Sequence, residues 1–495
     1  MYDLIIVGSG PAGLTLATLA IDEIENKKIL IIDRDKSIGG CHKVNRQLFE
    51  KEKYFSEHGP RIYIGNYINL KMILQKIGIK FRDLFVKYKF NMLSSSLDSI
   101  FKNIFNLNEI LSLTKEFLLF SFNSDYATNK SLINYLNENN FSEKAKEYLN
   151  KLCNIIDGID IYRISLNTFL SILNECLLYS IYQPRLPNDE GLFKIWYNFL
   201  KMRNVEFKLN TSVIGFDYDD NNKKIINVRT NYGYLKSKKV VFAIPPENLK
   251  SIMENNTNTN TNFTLINYNK NTEYNDYISI IFHWNYKFDI DNNINGILVN
   301  DSSWGIASIV LSDYMTFKER NSKTVISSSI TLINNKSTNI NKTPNECSNK
   351  NELINETFKQ LNEIYKNKLP NPTLSFINNY YKDGEWISNE TAYIKTYNTD
   401  YIPFKIDENI FTLGSHNGKA MVHFTSMESA VSNAISLYNE LYDKKIEIKR
   451  PFLIVDLLFI SLILLIFLIM LKLNIDIKII LSLILIIIIL YYLLL

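Results

Sequence analysis

The stretch YDLIIVGSGPAGLTLATLA, residues 2–20, places Gly8, Gly10 and Gly13 at the G-x-G-x-x-G spacing. By itself that spacing is common by chance, and its neighbours give it meaning. Residues 4–7 are an apolar run suited to a strand covered on both faces, and residues 14–20 read as an apolar helix. In such a strand–turn–helix unit Gly8 permits the tight turn, Gly10 lets the backbone approach a pyrophosphate, and Gly13 lets helix and strand pack closely. Ser9, Pro11 and Ala12 complete the turn, and the helix N-terminus offers free N–H groups to phosphate oxygens. A ribose hydroxyl then needs an acid about 20 residues further on, at the end of a second strand. KILII at 28–32 is that strand, with Asp33 and then Arg34 at its end. The chemistry is dinucleotide binding. A βαβ unit that binds nothing is the competing reading.

A chain of 495 residues is too long for one small core, so two domains are expected. The net charge is only +4 and no long cationic stripe occurs, which argues against nucleic acid as a partner. Cys41, Cys153, Cys176 and Cys347 are scattered with no C-x-x-C pair. That pattern speaks against a disulfide framework or a zinc site and fits a reducing compartment. The five histidines show no ligand spacing, so no metal is expected. The first strand begins almost at Met1, leaving no room for a cleavable signal peptide. At the other end, residues 452–471 and 479–495 are apolar runs joined by KLNIDIK, and about twenty such residues span a bilayer core. The basic flank DKKIEIKR at 443–450 favours a cytoplasmic side. These features predict a C-terminal membrane anchor of two transmembrane helices, with the folded domain facing the cytosol.

Between the ends, residues 67–200 carry helical periodicity, and strands are predicted at 205–209, 213–218, 225–230 and 240–244. Further strand-like segments lie at 277–284, 294–300, 305–311 and 324–333. NNTNTNTN at 255–262 and the Asn- and Lys-rich stretch 334–351 read as disordered surface loops of low complexity.

Five further segments stand in a telling order: IGGCHKV from Ile38, EHGPRIY from Glu57, GLFKIWYNFLKMRNVEFKLNTSVIGF from Gly191, KKVVFAIPPENL from Lys238, and NIFTLGSHNGKAMVHFTSMESAVSNAISLYNEL from Asn409. In this order and spacing the chain resembles the flavin-containing amine oxidase superfamily, with its relatives protoporphyrinogen oxidase and the carotenoid desaturases. The resemblance runs from residue 2 to about residue 442. It implies an α/β fold: a Rossmann-type FAD-binding domain from segments 1–66, 201–250 and 404–445, interleaved with an α+β substrate domain. That second domain comprises a mainly helical insertion at 67–200 and a β-rich part at 251–403, with the anchor at 451–495.

The resemblance also implies roles. Gly8, Ser9, Gly10, Pro11, Ala12 and Gly13 would cradle the FAD pyrophosphate, with Asp33 and Arg34 at the adenosine ribose. Gly39 and Gly40 match a pair that closes around the phosphates. The arginine usual after that pair is Cys41 here, which leaves His42 or Lys43 to supply the charge, or the backbone alone to bind the phosphate. Gly59, Pro60 and Arg61 match the segment beside the isoalloxazine ring, Val213 the residue that meets adenine, and Gly414 the glycine of a G-D or G-E pair. Ser415 replaces that acid, while Met427, Glu428 and Ala430 match the helix start under the flavin. No cysteine follows Cys347, so FAD is expected to be held non-covalently.

The implied function is a membrane-anchored, FAD-dependent oxidoreductase that moves hydride from a small or lipophilic substrate to flavin, with dioxygen a possible acceptor. Arg61 is the one catalytic candidate, placed to stabilise negative charge on the reduced ring or to orient an anionic substrate. Ser426 stands where an amine-framing aromatic ring is common, with Phe424 and Tyr397 as substitutes and Lys270 as a candidate for the usual lysine. Two alternatives compete, the first sharing the N-terminal pattern and the second reusing the fold with degraded cofactor glycines, which Gly8, Gly10, Gly13, Gly39 and Gly40 weigh against. One is a mutase resembling UDP-galactopyranose mutase, with Arg185 and Tyr182 at the sugar nucleotide. The other is a non-enzymatic binding protein of the GDP-dissociation-inhibitor type.

Overall fold

The computed structural model describes residues 1–23, 28–88, 91–93, 104–219, 221–254, 272–275, 277–288, 297–388, 390, 392–399, 401–418, 420 and 424–472. Its organising element is a six-stranded sheet. β1 (Tyr2–Val7) lies between Ser237–Phe242 and β2 (Ile29–Ile32), parallel to both, with Val7 level with Phe242 and Ile32. Glu206–Lys208 continues the sheet beyond β2, and Ile410–Thr412 with the antiparallel Lys405–Asp407 continues it on the other side. Leu4, Ile5 and Ile6 are fully buried, as a strand covered on both faces demands. The sheet therefore draws its strands from the two ends and the middle of the chain.

α1 (Pro11–Ala20) follows β1 directly and is buried along its whole length. Pro11 presets the first helical turn, and Gly10 at the N-cap offers no side chain to the exposed N–H groups. Helix Leu192–Met202 covers it through Trp196, whose indole donates to Thr18 Oγ1 at 2.8 Å. Helix Met427–Tyr442 contributes to the same apolar core.

Seven helices are described between residues 67 and 202, in line with the helical periodicity there. They share the stretch with strands Phe85–Tyr88 and Ile181–Pro184, which pair with each other. A second sheet, wholly antiparallel, has the order Ile306–Val310, Thr324–Ile330, Ile278–Trp284, Leu374–Ile377. The hairpin β3 (Val44–Phe49) and β4 (Glu52–Glu57) leads towards it from the nucleotide unit. Most predicted strands appear within a residue or two, but that placed at 240–244 starts earlier, at Ser237, because its register is set by β1. The stretch 334–351 is a correction. It is ordered by a capping box between Thr343 and Glu346, by Trp304 Nε1 donating to the Lys342 carbonyl at 3.2 Å, and by Ser337 donating to Glu356. The run 255–262 and Lys270 lie outside the described residues.

The predicted membrane anchor is overturned. Among the described residues no helix is long and apolar enough to cross a membrane. The first apolar run forms a helix, Ile454–Lys472, of 19 residues, but its start belongs to the folded domain. Leu453, Val455 and Asp456 are buried there, Asp456 pairs with Arg450 at 2.9 Å, and Asn174 binds the Phe452 carbonyl and the Ile454 N–H. What remains beyond Asp456 falls short of the roughly 20 residues a span takes. The second run, 479–495, lies outside the described residues. The membrane partner and the anchored, cytosol-facing localisation lose their basis with the helices.

Beneath this docking point Glu175 is buried, with Oε2 unpartnered, and burial pushes its carboxyl up to about 8. Unfolded, the same group ionises near its ordinary value, so between the two values only the unfolded chain has lost the proton. Folding stability then falls with rising pH by about 1.4 kcal/mol per unit. Glu175→Gln removes that slope. Its melting temperature should exceed the wild-type value by more at pH 8 than at pH 5; a difference independent of pH would show the carboxyl already ionised in the fold.

Candidate functional site

The turn after β1 is dictated by its glycines. Gly8 has φ +107°, and a Cβ there would lie 2.3 Å from the Ala243 carbonyl oxygen. A Cβ on Gly13 would lie 2.3 Å from the Gly8 oxygen. Gly10 differs: a Cβ would meet only Gly40 Cα, at 3.7 Å. Gly39 donates its N–H to the Ser9 carbonyl at 3.0 Å, so the two glycine turns stand back to back. Gly39 and Gly40 both have positive φ, and a Cβ on Gly39 would strike the Phe193 ring. Between these turns opens a cavity of about 640 Å³, within the range of small-molecule and cofactor sites.

Gly8, Ser9, Gly10, Pro11, Ala12, Asp33, Arg34, Gly40, Pro60, Arg61, Val213, Gly414, Ser415, Met427 and Ala430 all line it. Asp33 Oδ2 accepts from the Ser9 N–H at 2.7 Å, which fixes the acid at the mouth of the turn. Gly13 and Gly39 act behind the lining by letting elements approach. Gly59 does the same at the far end, where a Cβ would lie 2.5 Å from the Tyr277 ring. Glu428 does not reach the cavity. It accepts from the Asn69 and Leu70 N–H groups at 2.7 and 2.9 Å and so holds the start of helix Ile68–Lys76. Burial pushes its carboxyl up to about 7.

The basic groups around the second turn sort themselves. Lys43 is held between Asp35 at 2.6 Å and Glu390 at 2.9 Å. Burial, then the charge of Arg61, keeps the His42 imidazole well below its usual range, so it is neutral. Arg61, half-buried and making no salt bridge among the described residues, donates to the Cys41 carbonyl. Its guanidinium therefore comes to position 41 from another segment, at the place where the resemblance expects an arginine.

Several lining residues carried no readable sequence signal: Asp157, Tyr277, Ser329, Glu390 and Tyr393. His58 also lines the cavity, and its place directly before Gly59 was the one hint available. Phe424 lines the cavity but Tyr397 does not. Arg185 lines a separate small pocket, and Tyr182 packs edge-on against Phe81, so neither reaches the main cavity. All four cysteines are free, and among the described residues no cluster of His, Cys, Asp or Glu could hold a metal ion.

This geometry defines a Rossmann-like α/β nucleotide-binding unit joined to a second domain. Comparison agrees. Residues 6–77 match the family of NAD(P)-binding Rossmann-like domains. Solved structures with the same fold include a putative protoporphyrinogen oxidase from Exiguobacterium sp. 255-15, at 14% identity and TM-score 0.61, covering 90% of this chain and 99% of that one. Cyclohexylamine oxidase from Brevibacterium oxydans IH-35A is similar at 14% identity and TM-score 0.60, over 89% and 99%. An oxidoreductase from Methanosarcina mazei is similar at 10% identity and TM-score 0.61, over 88% and 99%. No curated protein matches by sequence. The chain shares its fold with these solved structures and carries a Rossmann-like nucleotide-binding unit over residues 6–77.

Proposed function

We propose that the chain is an FAD-dependent oxidoreductase acting on a small-molecule substrate. One observation carries this reading: two glycine turns back to back, with Gly10 facing Gly40, open on a cavity that continues past Pro60 and Arg61 to Tyr277 and Ser329 of the second domain. A cavity of this extent has room for a second ring system beyond the phosphates. Gly8–Ala12 and Gly40 would hold the pyrophosphate, with Gly13 and Gly39 packed behind them, Asp33 and Arg34 the ribose, and Val213 the adenine. Pro60 and Arg61 would flank the isoalloxazine, with Gly59 behind them and Gly414, Ser415 and Met427 at its other end. Bound there, the flavin supplies a two-electron acceptor. The protein orients a substrate bond against it and keeps water out.

Acid precipitation of the purified protein tests the cofactor. It should leave FAD, and all the colour, in the supernatant. Release of a nicotinamide nucleotide instead, or colour staying with the pellet, would contradict FAD or its non-covalent binding.

Arg61 would stabilise negative charge on the reduced ring. Arg61→Met should keep FAD but shift the flavin reduction potential to more negative values in a dye-coupled titration. An unchanged potential would leave the guanidinium a structural role at the Cys41 carbonyl.

A further inference from the structure

His416 is only 3% exposed yet lines the cavity, and its Nε2 has no hydrogen-bond partner. The ring lies back over Gly414, where a Cβ would sit 2.5 Å from the imidazole Cε1. A side chain at 414 would therefore push the ring out of place. The turn that carries it is pinned from several sides. Asn433, on helix Met427–Tyr442, donates to the Gly414 carbonyl at 2.8 Å. Asn417 Nδ2 donates to Thr412 Oγ1 at 2.6 Å and to the Ile402 carbonyl at 3.1 Å. The Ile402 N–H in turn donates to the His416 carbonyl at 3.2 Å. Tyr393, which also lines the cavity, meets the ring edge-on with centroids 5.8 Å apart. A buried polar atom, costly when unpaired, is thus held rigidly at the cavity wall.

Charge and position decide what Nε2 binds. Burial alone brings the imidazole down to about 3, so the ring is neutral near pH 7. It gives a phosphate no charge to pair with. A hydroxyl both donates and accepts, so it satisfies Nε2 whichever ring nitrogen carries the proton. The 414–416 turn leaves strand Ile410–Thr412 at the same end of the sheet at which the Gly8 turn leaves β1, with Ser237–Phe242 between them. Asp33 leaves β2 on the far side of β1, three strand spacings or about 14 Å from the 414 turn. His416 therefore stands on the side of the phosphate turn away from the ribose.

We propose that His416 binds FAD, its Nε2 bonded to a hydroxyl of the ribitol chain that joins the phosphates to the isoalloxazine. This rests on the flavin reading above and adds a cofactor-binding residue to it. Within FAD only the ribose and the ribitol carry hydroxyls, and the ribose belongs to Asp33. No proton is transferred, and the ring stays neutral.

The test measures dissociation constants for the full chain, stripped of flavin and titrated with FAD or with analogues in which each ribitol hydroxyl in turn is replaced by hydrogen. His416→Phe keeps a flat ring over Gly414 and loses the nitrogen. It should weaken FAD about tenfold, the scale of one hydrogen bond, while the flavin-free protein melts near the wild-type temperature. One analogue should bind wild type about tenfold more weakly than FAD does, yet bind His416→Phe no worse than FAD, because the contact it deletes is already gone. His416→Gln, whose amide reaches towards the place of Nε2, should recover part of the affinity. Unchanged FAD affinity in His416→Phe would overturn the inference, as would losses from every analogue that are the same in both proteins. Where His416→Phe does not fold, His416→Leu takes its place in the comparison, and equal affinity of wild type for all the analogues would still overturn it. A wild-type chain that takes up no FAD would instead defeat the flavin reading.

Discussion

Gly10→Leu should give a folded protein that binds no flavin. Gly10 has φ −73° and ψ 176°, a conformation any residue adopts, and a Cβ there would meet nothing closer than Gly40 Cα at 3.7 Å. The fold therefore tolerates a side chain at this position. The remainder of a leucine would extend into the cavity between the two glycine turns, where the pyrophosphate must approach the backbone. Affinity for FAD should fall at least a hundredfold, read as the flavin-to-protein ratio after purification with excess FAD, while the melting temperature of the flavin-free protein stays near wild type. Gly13→Ala is the contrasting control. Its Cβ would meet the Gly8 carbonyl oxygen at 2.3 Å, so it should lose stability first and flavin as a consequence. Gly10→Leu with a full complement of flavin would mean that the pyrophosphate lies elsewhere.

The second large effect concerns stability. Arg46 on β3 donates from Nε and Nη2 to the two Asp189 carboxylate oxygens at 2.8 Å, from Nη2 also to Glu190 at 2.9 Å, and from Nη1 to Glu319. One guanidinium thus ties the hairpin that follows the second glycine turn to the 189–190 turn and to the loop at 319. Its side chain is only 16% exposed and that of Glu319 only 9%. Arg46→Ala leaves three carboxylates converging with no cation between them apart from Lys318, which reaches Glu190 from the surface. The loss should be about 3 kcal/mol in denaturant unfolding, the lower end of what breaking a buried pair costs. Arg46→Lys should fall between, keeping the charge but not the paired geometry. A change below about 0.5 kcal/mol would class the cluster with exposed ion pairs, which contribute little.

How much of this was legible in the sequence follows from how each feature is specified. The nucleotide turn was legible because its demands fall on the backbone of consecutive residues: Gly8 and Gly13 each answer a local steric need of the fold, Gly10 leaves the backbone open to a phosphate, and Asp33 closes the next strand. The docked helix was not. Residues 452–471 look like a span by hydropathy alone, and only the contacts of Asn174 and Arg450 show that its first turn lies inside the folded domain. The stretch 334–351 misled by composition, although Thr343 with Glu346 was a readable capping signal. Around the cavity, His58 was visible beside Gly59, but Ser388 and Glu390 approach it from more than 300 positions away, a pairing no local pattern records. Arg61 was legible as a candidate, whereas its arrival at the carbonyl of Cys41 depends on two separate turns meeting.

The visible absorption spectrum of the purified chain tests the central claim most directly. The account predicts the two flavin bands at close to one flavin per chain, restored by adding FAD after the cofactor has been stripped. A colourless protein that fails to take up added FAD would contradict it.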